Sequence, residues 1–438
     1  MENNFGNLEK IVIDFLQEVI ATKIIDLSSL LKQMKAEFVR LGYHEPTRQG
    51  VENILISRLD NVGDFILTIP AIREIRMNYP SAFITLVVRK GVYPVAELCP
   101  YVNEVLIFDE ESISSNVLEI IINATDFAKN FLWRRSYDLA FNFRYWNDIW
   151  RLNTLFMMYF SGAPQRISYI GETIDVPQKL NLTNMLLTDL FTIPKEFNHD
   201  VARNLYLIKA FGLTVRNTNL EFWYNKTDLY RAKNLLGNFG EGRIKIAAGI
   251  GASGAPRKYP IEKYLVAFKE IIAKGASLVL FGGPSEIDDA KFLEENLPRE
   301  FIKNVVELKP SWRITTAIIS QLDMYVGNDT GTQHISSALK KPVIILSRVA
   351  KDFKNFFSKA TETQIYYPYQ TNSIVIQPEH QLEACRANPY FYGCKMSTSH
   401  CIAQIEPAEI VDAYVKMVSF IRQDVKFFDG DFEKFLEK

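Results

Sequence analysis

Apolar positions along the chain change period several times, and each change marks an element. Leu8, Ile11, Val12, Phe15, Leu16 and Val19 recur at helical spacing, which predicts an amphipathic helix. Leu27, Leu30, Leu31, Met34, Phe38 and Leu41 predict a second helix, closed by Gly42 and Pro46. From Asn53 onward the apolar runs shorten. Asn53–Ser57 reads as a buried strand, the stretch around Arg58 to Asp64 as a glycine-bearing loop, Ala71–Asn78 as a helix and Phe83–Val88 as the next strand. Strand, loop, helix and strand in that order make a βαβ unit, with the loop at the carboxyl edge of a parallel sheet. Further strands are expected at Glu104–Phe108 and Leu139–Phe143, with helical patterns at Val117–Leu132 and Val201–Gly212. The stretch from Ile170 to Phe197 has no regular period.

The alternation restarts near Leu220. Tyr230–Leu236 and Glu262–Lys274 read as helices, and Ile244–Ala248, Ser277–Phe281, Val305-Val306 and Leu322–Val326 as strands. After Leu322–Val326 comes Asp329-Thr330-Gly331, then small and apolar residues at helical spacing, stopped by Pro342. Glu406–Ile421 reads as a final helix. The pattern predicts two Rossmann-like α/β domains in series, with a cleft between them.

Chemistry concentrates where these strands end. A helix that starts at Gly331 would offer exposed N–H groups and a positive dipole end, both of which attract phosphate. Thr330 adds a hydroxyl, Gly331 admits a ligand close to the backbone, and His334 lies one turn on, facing the same side. The competing role for this junction is an ordinary N-cap. The loop Gly249–Pro260 combines glycines with Arg257 and Lys258, a second anion-seeking pattern, against the alternative of a flexible surface loop. Glu286 follows Gly282-Gly283 after a strand, where an acid can hold ribose hydroxyls. Asp64, beside Gly63, puts a carboxylate at a sheet mouth, or else caps the following helix. The aromatic and amide-rich stretch Asn142–Asn147 suits a sugar or polar acceptor as well as it suits a solvated loop.

Length and composition narrow the classes. A chain of 438 residues exceeds a typical single core. Its formal net charge of −1 supplies no basic field for nucleic acid. No apolar run reaches membrane-spanning length and no secretory leader pattern opens the chain, so a cytoplasmic protein is expected. Cys385, Cys394 and Cys401, with His380 and His400 nearby, are candidates for structural zinc or iron. Reduced packing cysteines and a disulfide are the alternatives. The pair Asp429 and Asp431 sits in a charged terminal stretch and reads as solvated.

Three segments together resemble one family. Ile54–Leu59 with Gly63-Asp64 and Leu67–Ile72 is similar to the N-terminal signature of the heptosyltransferase-like glycosyltransferases, glycosyltransferase family nine. Val326–Gly331 with His334, Ala338 and Lys341–Val343 resembles that family's Asp-Thr-Gly-x-x-His signature. Between them, Arg257–Pro260 looks like its Lys-x-Trp-Pro segment, and Phe281–Gly283 with Glu286 like its glycine-rich stretch. The resemblance spans roughly Glu52 to Phe420. It implies an α/β GT-B fold of two facing Rossmann-like domains. Here these are an acceptor-side domain at 51–222 and a nucleotide-sugar domain at 223–420, with a helical extension at 1–50 and a tail at 421–438.

The implied activity is inverting, metal-independent sugar transfer, with heptose from an ADP-linked donor. The acceptor would be lipopolysaccharide, another glycan, a lipid-linked sugar or a protein, and the implied setting is bacterial. The resemblance gives Asp64 the role of general base. It assigns Arg257, Lys258, Thr330 and Gly331 to the diphosphate, Asp329 to the donor sugar or its diphosphate, and Glu286 to the ribose. Arg257 stands at the family's Lys position and Tyr259 at its Trp. Some relatives carry four cysteines before the last helix; Cys394 and Cys401 keep that spacing, Cys385 fits loosely, and Asn388 occupies the second place. Peripheral association with the inner membrane face, and an oligomer formed through the N-terminal helices, complete the expectation. A non-catalytic nucleotide-sugar-binding scaffold and a nucleotide-sugar epimerase are the rival functions.

Overall fold

The computed structural model describes residues 6–22, 26–41, 50–146, 148–170, 185–194, 197–352, 365–383 and 396–423. The chain divides into two compact units: Met1–Pro194 with Val201–Thr218, and Lys195–Asp200 with Asn219–Lys438. Cys385, Cys394, Asn147 and the Asp429–Asp431 stretch lie outside the described residues.

The first unit begins with α1 (Gly6–Thr22) and α2 (Leu27–Arg40). Then come β1 (Asn53–Arg58), α3 (Val62–Asn78), β2 (Phe83–Val88), the single turn α4 (Tyr93–Ala96) and β3 (Glu104–Ile107). After α5 (Val117–Phe127) follow β4 (Leu139–Asn142), α6 (Ile149–Phe160), β5 (Gln165–Tyr169), β6 (Asp189–Phe191) and α7 (Asp200–Ala210). All strand pairs are parallel, in the order β3-β2-β1-β4-β5-β6. Strand β1 is buried along nearly its whole length, as a strand covered on both faces must be.

The second unit repeats the plan. Its elements are α8 (Lys226–Leu236), β7 (Ile244–Gly249), α9 (Ile261–Ala273), β8 (Ala276–Phe281), α10 (Ile287–Asn296) and β9 (Ile302–Asn304). Then follow α11 (Trp312–Ser320), β10 (Met324–Asn328), α12 (Gly331–Ala338), β11 (Val343–Leu346), β12 (Ser373–Ile376) and α13 (Pro407–Gln423). The sheet is again parallel, ordered β12-β11-β10-β7-β8-β9. Each sheet therefore has the 3-2-1-4-5-6 order of a Rossmann fold, whose ligand crevice opens where that order reverses. These reversals lie between β1 and β4, and between β7 and β10.

Several boundaries differ from the sequence pattern. The third helix starts at Val62 rather than Ala71 and runs through Pro70. A proline inside a helix leaves the carbonyl four residues back without its usual donor. Next to that position, the buried Asn204 amide donates to the Leu67 carbonyl at 3.1 Å and to Thr68 Oγ1 at 3.3 Å. The helical pattern through Leu132 relaxes from α to π geometry over Ala128–Leu132. Val305-Val306 is not a strand; β9 ends just before it. The edge strands β6, β9 and β12 are too short for apolar alternation to mark them.

The N-terminal helices share the core of the first unit. Leu8, Leu30, Met34 and Phe38 cluster with Phe127, Leu132 and Phe156, and the Tyr159 hydroxyl donates to the Leu31 carbonyl at 2.6 Å. Gly162, at a φ of 83°, sits against the Phe38 ring, where any side chain would collide. No helix among the described residues is long and apolar enough to cross a membrane. Leu30 is fully buried, so Leu30→Ala should cost roughly 2–5 kcal/mol of stability through lost burial and a cavity. Urea denaturation of the two proteins measures this, and equal midpoints would mean that the helices contribute nothing to the core.

Candidate functional site

In the first unit, polar side chains gather at the carboxyl ends of three neighbouring strands. Strand β1 ends at Arg58, which is almost wholly buried. Its guanidinium donates to the Phe143 carbonyl at 2.8 Å, with Nε 3.2 Å from Asp60 and Nη2 3.7 Å from Asp64. Arg144 follows β4 and pairs with both Asp60 and Asp148. Arg89 follows β2, donates to Asn61 Oδ1 and to Glu110, each at 2.9 Å, and lies 4.4 Å from the Trp150 ring centre.

Asp64 stands in the first turn of α3 rather than in a loop. Its Oδ2 accepts from the Asn61 N–H at 3.2 Å, so the capping role is real. The carboxylate nevertheless remains 23% exposed, with Oδ1 toward Arg58. A carboxylate steadied on two sides and open on a third can accept a proton from a bound hydroxyl. Of the aromatic stretch after β4, Phe143 and Tyr145 belong to the core. Trp146 is half-buried.

The second unit places its polar groups around the β7/β10 reversal. These strands approach so closely that a Cβ on Gly327 would collide with the Gly249 carbonyl, and one on Gly249 with the Tyr325 hydroxyl. Asn328, the last residue of β10, is fully buried. Its Nδ2 donates to the carbonyls of Ile250 and Gly251, both at 3.0 Å. Its Oδ1 accepts from the Tyr259 N–H at 3.2 Å and the Tyr264 hydroxyl at 3.1 Å. Sequence reasoning gave this residue no role. The only signal was an amide at the end of a strand, directly before Asp329.

Two groups of the expected residues flank that amide. In the first, Lys258 lies 3.2 Å from Glu286 and also pairs with Asp289. Burial works against its charge, but these carboxylates outweigh that and hold its pKa above the ordinary lysine value. Glu286 is nearly buried, accepting from the Gly283 N–H and the Ser285 hydroxyl, each at 2.8 Å. Arg257 is half-buried and reaches Ser253 Oγ at 3.5 Å.

In the second group, Thr330 is the N-cap of α12 and its hydroxyl lies 2.9 Å from that of Thr332. Asp329 is half-buried, 3.9 Å from His334 Nε2. Burial pushes the His334 imidazole down to about 3, with His199 a lesser cause. His334 is therefore neutral at physiological pH, and its contact with Asp329 is not an ion pair. In the cysteine region, Cys401 is buried, with Sγ 3.5 Å from His400 Nδ1; the other two candidate thiols fall outside the described residues.

Two Rossmann-type units in one chain, each a parallel six-stranded sheet, are the architecture of the GT-B class. Residues 151–386, more than half of the chain, match glycosyltransferase family 9 (heptosyltransferase), and the chain belongs to that family. It is 24% identical over 287 residues to lipopolysaccharide heptosyltransferase 3 of Escherichia coli K12, covering 65% of this chain and 79% of that protein. Among solved structures, a glycosyl transferase family 9 protein from Veillonella parvula superimposes with a TM-score of 0.67 at 17% identity, covering 85% of this chain and 98% of the other. The E. coli ADP-heptose lipopolysaccharide heptosyltransferase II gives 0.60 at 18%, covering 85% and 99%. The GT-B fold expected from the sequence is therefore the observed one. The family match begins after Gly63-Asp64, so the role of that carboxylate is argued from this chain's own geometry.

The buried histidine has a pH signature. Its folded pKa lies below its unfolded value, so the unfolded chain binds the extra proton and stability falls as pH drops from about 6.5 toward 3. Between pH 7 and 5, wild type should lose about 2 kcal/mol that a His334→Gln variant retains. Chemical denaturation at both pH values measures the difference. Parallel pH slopes for the two proteins would show that His334 is not held neutral.

Proposed function

We propose that this protein is an inverting, metal-independent glycosyltransferase that moves heptose from an ADP-linked donor to a lipopolysaccharide-type glycan acceptor. In this reading the unit built on β1–β6 receives the acceptor and the unit built on β7–β12 holds the nucleotide sugar. The observation that carries it is the position of the two polar sets. Each lies at the carboxyl ends of adjacent strands, at the point where its sheet's strand order reverses. The named activities of the heptosyltransferase relatives support the choice of sugar, nucleotide and acceptor.

Asp64 takes the proton of the acceptor hydroxyl, whose oxygen attacks the anomeric carbon of the donor sugar. The bond from that carbon to the diphosphate oxygen breaks, and ADP leaves with the electron pair. Inversion follows from a single displacement. The negative charge that grows on the leaving diphosphate meets Arg257, Lys258, the Thr330 hydroxyl and the N–H groups that open α12 at Gly331. Glu286 receives the ribose hydroxyls, with Lys258 steadying its carboxylate. Asp329 contacts the donor sugar, and the neutral His334 beside it supports its position without taking its charge. Transfer takes place in the cytoplasm, at the inner face of the membrane where a lipid-linked acceptor is exposed.

Asp64→Asn keeps the size of the side chain and removes the base. Transfer should fall by about a hundred- to ten-thousand-fold, while ADP still raises the melting temperature as it does for wild type. Product formation from ADP-heptose on a heptose-acceptor core glycan measures the first, and thermal melting the second. A variant that transfers sugar at the wild-type rate would remove Asp64 from the chemistry.

A further inference from the structure

We infer that Asn328 is a positioning residue of the donor site, which aims the N–H groups of Gly251 and Ala252 at the diphosphate. The inference rests on the donor reading above and adds to it a residue that never touches the ligand.

The amide carbonyl of Asn328 accepts two hydrogen bonds and its NH2 group donates two, so its capacity is filled. Its donors go only to main-chain carbonyls of the glycine loop. A trans peptide holds its C=O and N–H on opposite sides of one plane. Fixing the Ile250 carbonyl toward Asn328 therefore turns the Gly251 N–H away from it, and fixing the Gly251 carbonyl does the same for Ala252. Two successive N–H groups turned away from Asn328 can both meet one anion. That loop leads to Arg257 and Lys258, and the residue after Asn328 is Asp329. One buried side chain thus sets the glycine loop, the basic segment at Tyr259 and the start of the Asp-Thr-Gly junction relative to one another.

No other side chain substitutes for it. Aspartate keeps the shape and the acceptors but presents an oxygen to two carbonyls, and alanine takes the Asn328 bond away from the Ile250 and Gly251 carbonyls and the Tyr259 N–H, while the Tyr264 hydroxyl keeps the Gly249 carbonyl at 3.4 Å. A Cβ at Gly251 would stand 2.8 Å from Glu286 Oε2, so a side chain there would displace that carboxylate. A purely structural role would lower stability and leave the affinity of the folded protein unchanged.

The test measures ADP affinity by calorimetry, and donor KM with kcat, for wild type, Asn328→Asp and Asn328→Ala, with ligand-free melting alongside. Ala252→Pro, which deletes one of the aimed N–H groups and leaves the Asn328 amide in place, is measured in the same way. The expected result is at least a tenfold loss of ADP affinity and a matching rise in donor KM for the Asn328 variants, with kcat lowered as well because the same N–H groups meet the charge on the leaving diphosphate. Ala252→Pro should lose affinity in the same direction. Asn328 variants that melt lower yet bind ADP as wild type does overturn the inference. If they do not fold, a folded Ala252→Pro protein with wild-type ADP affinity overturns it equally. Wild type that binds no ADP brings down the donor reading itself, an outcome visible before any variant is made.

Discussion

A parallel sheet whose connections run one way on one side of a strand and the other way on the opposite side leaves a gap above two carboxyl ends. The functional chemistry assigned to this protein sits at two such gaps. At the first, Arg58, Asp60 and Arg144 from the ends of β1 and β4 form a paired floor beside Asp64. At the second, β7 and β10 approach through Gly249 and Gly327, where a Cβ would collide with the Tyr325 hydroxyl or with the Gly249 carbonyl. Backbone geometry fixes where the side chains start, and ion pairs and amide bonds then decide where they end.

The two gaps are furnished differently, in keeping with the roles assigned to them. The first is lined by guanidinium–carboxylate pairs that cancel most of one another's charge and leave a carboxylate partly open to solvent. The second has a helix start, a lysine held between two acids and a histidine that burial keeps neutral. Burial keeps that imidazole uncharged, so the cationic side chains of this set are Lys258 and Arg257. The whole protein's formal charge of −1 conceals this local arrangement.

Much of this was legible in the sequence because strands buried on both faces read as unbroken apolar runs. Ile54–Ile56, Leu278–Leu280 and Met324–Val326 announce themselves, and with them the junctions carrying Asp64, Glu286 and Asp329. Edge strands such as Asp189–Phe191 have too few residues for any period to show. The start of α3 was hidden by Pro70, which suggests a break although the helix runs through it. Asn328 was hidden for a different reason. Its partners, Ile250, Gly251, Tyr259 and Tyr264, are distant in sequence, and only the parallel pairing of β7 with β10 brings them around one amide.

The N-terminal helical pair also has a consequence for synthesis. Its apolar faces are completed by α5, the π segment and α6, all of which the ribosome makes later. At about 5–20 residues per second, α1 and α2 are exposed on the order of ten seconds before Phe156 and Phe160 emerge. During that interval the two amphipathic helices can cover their apolar stripes only against each other.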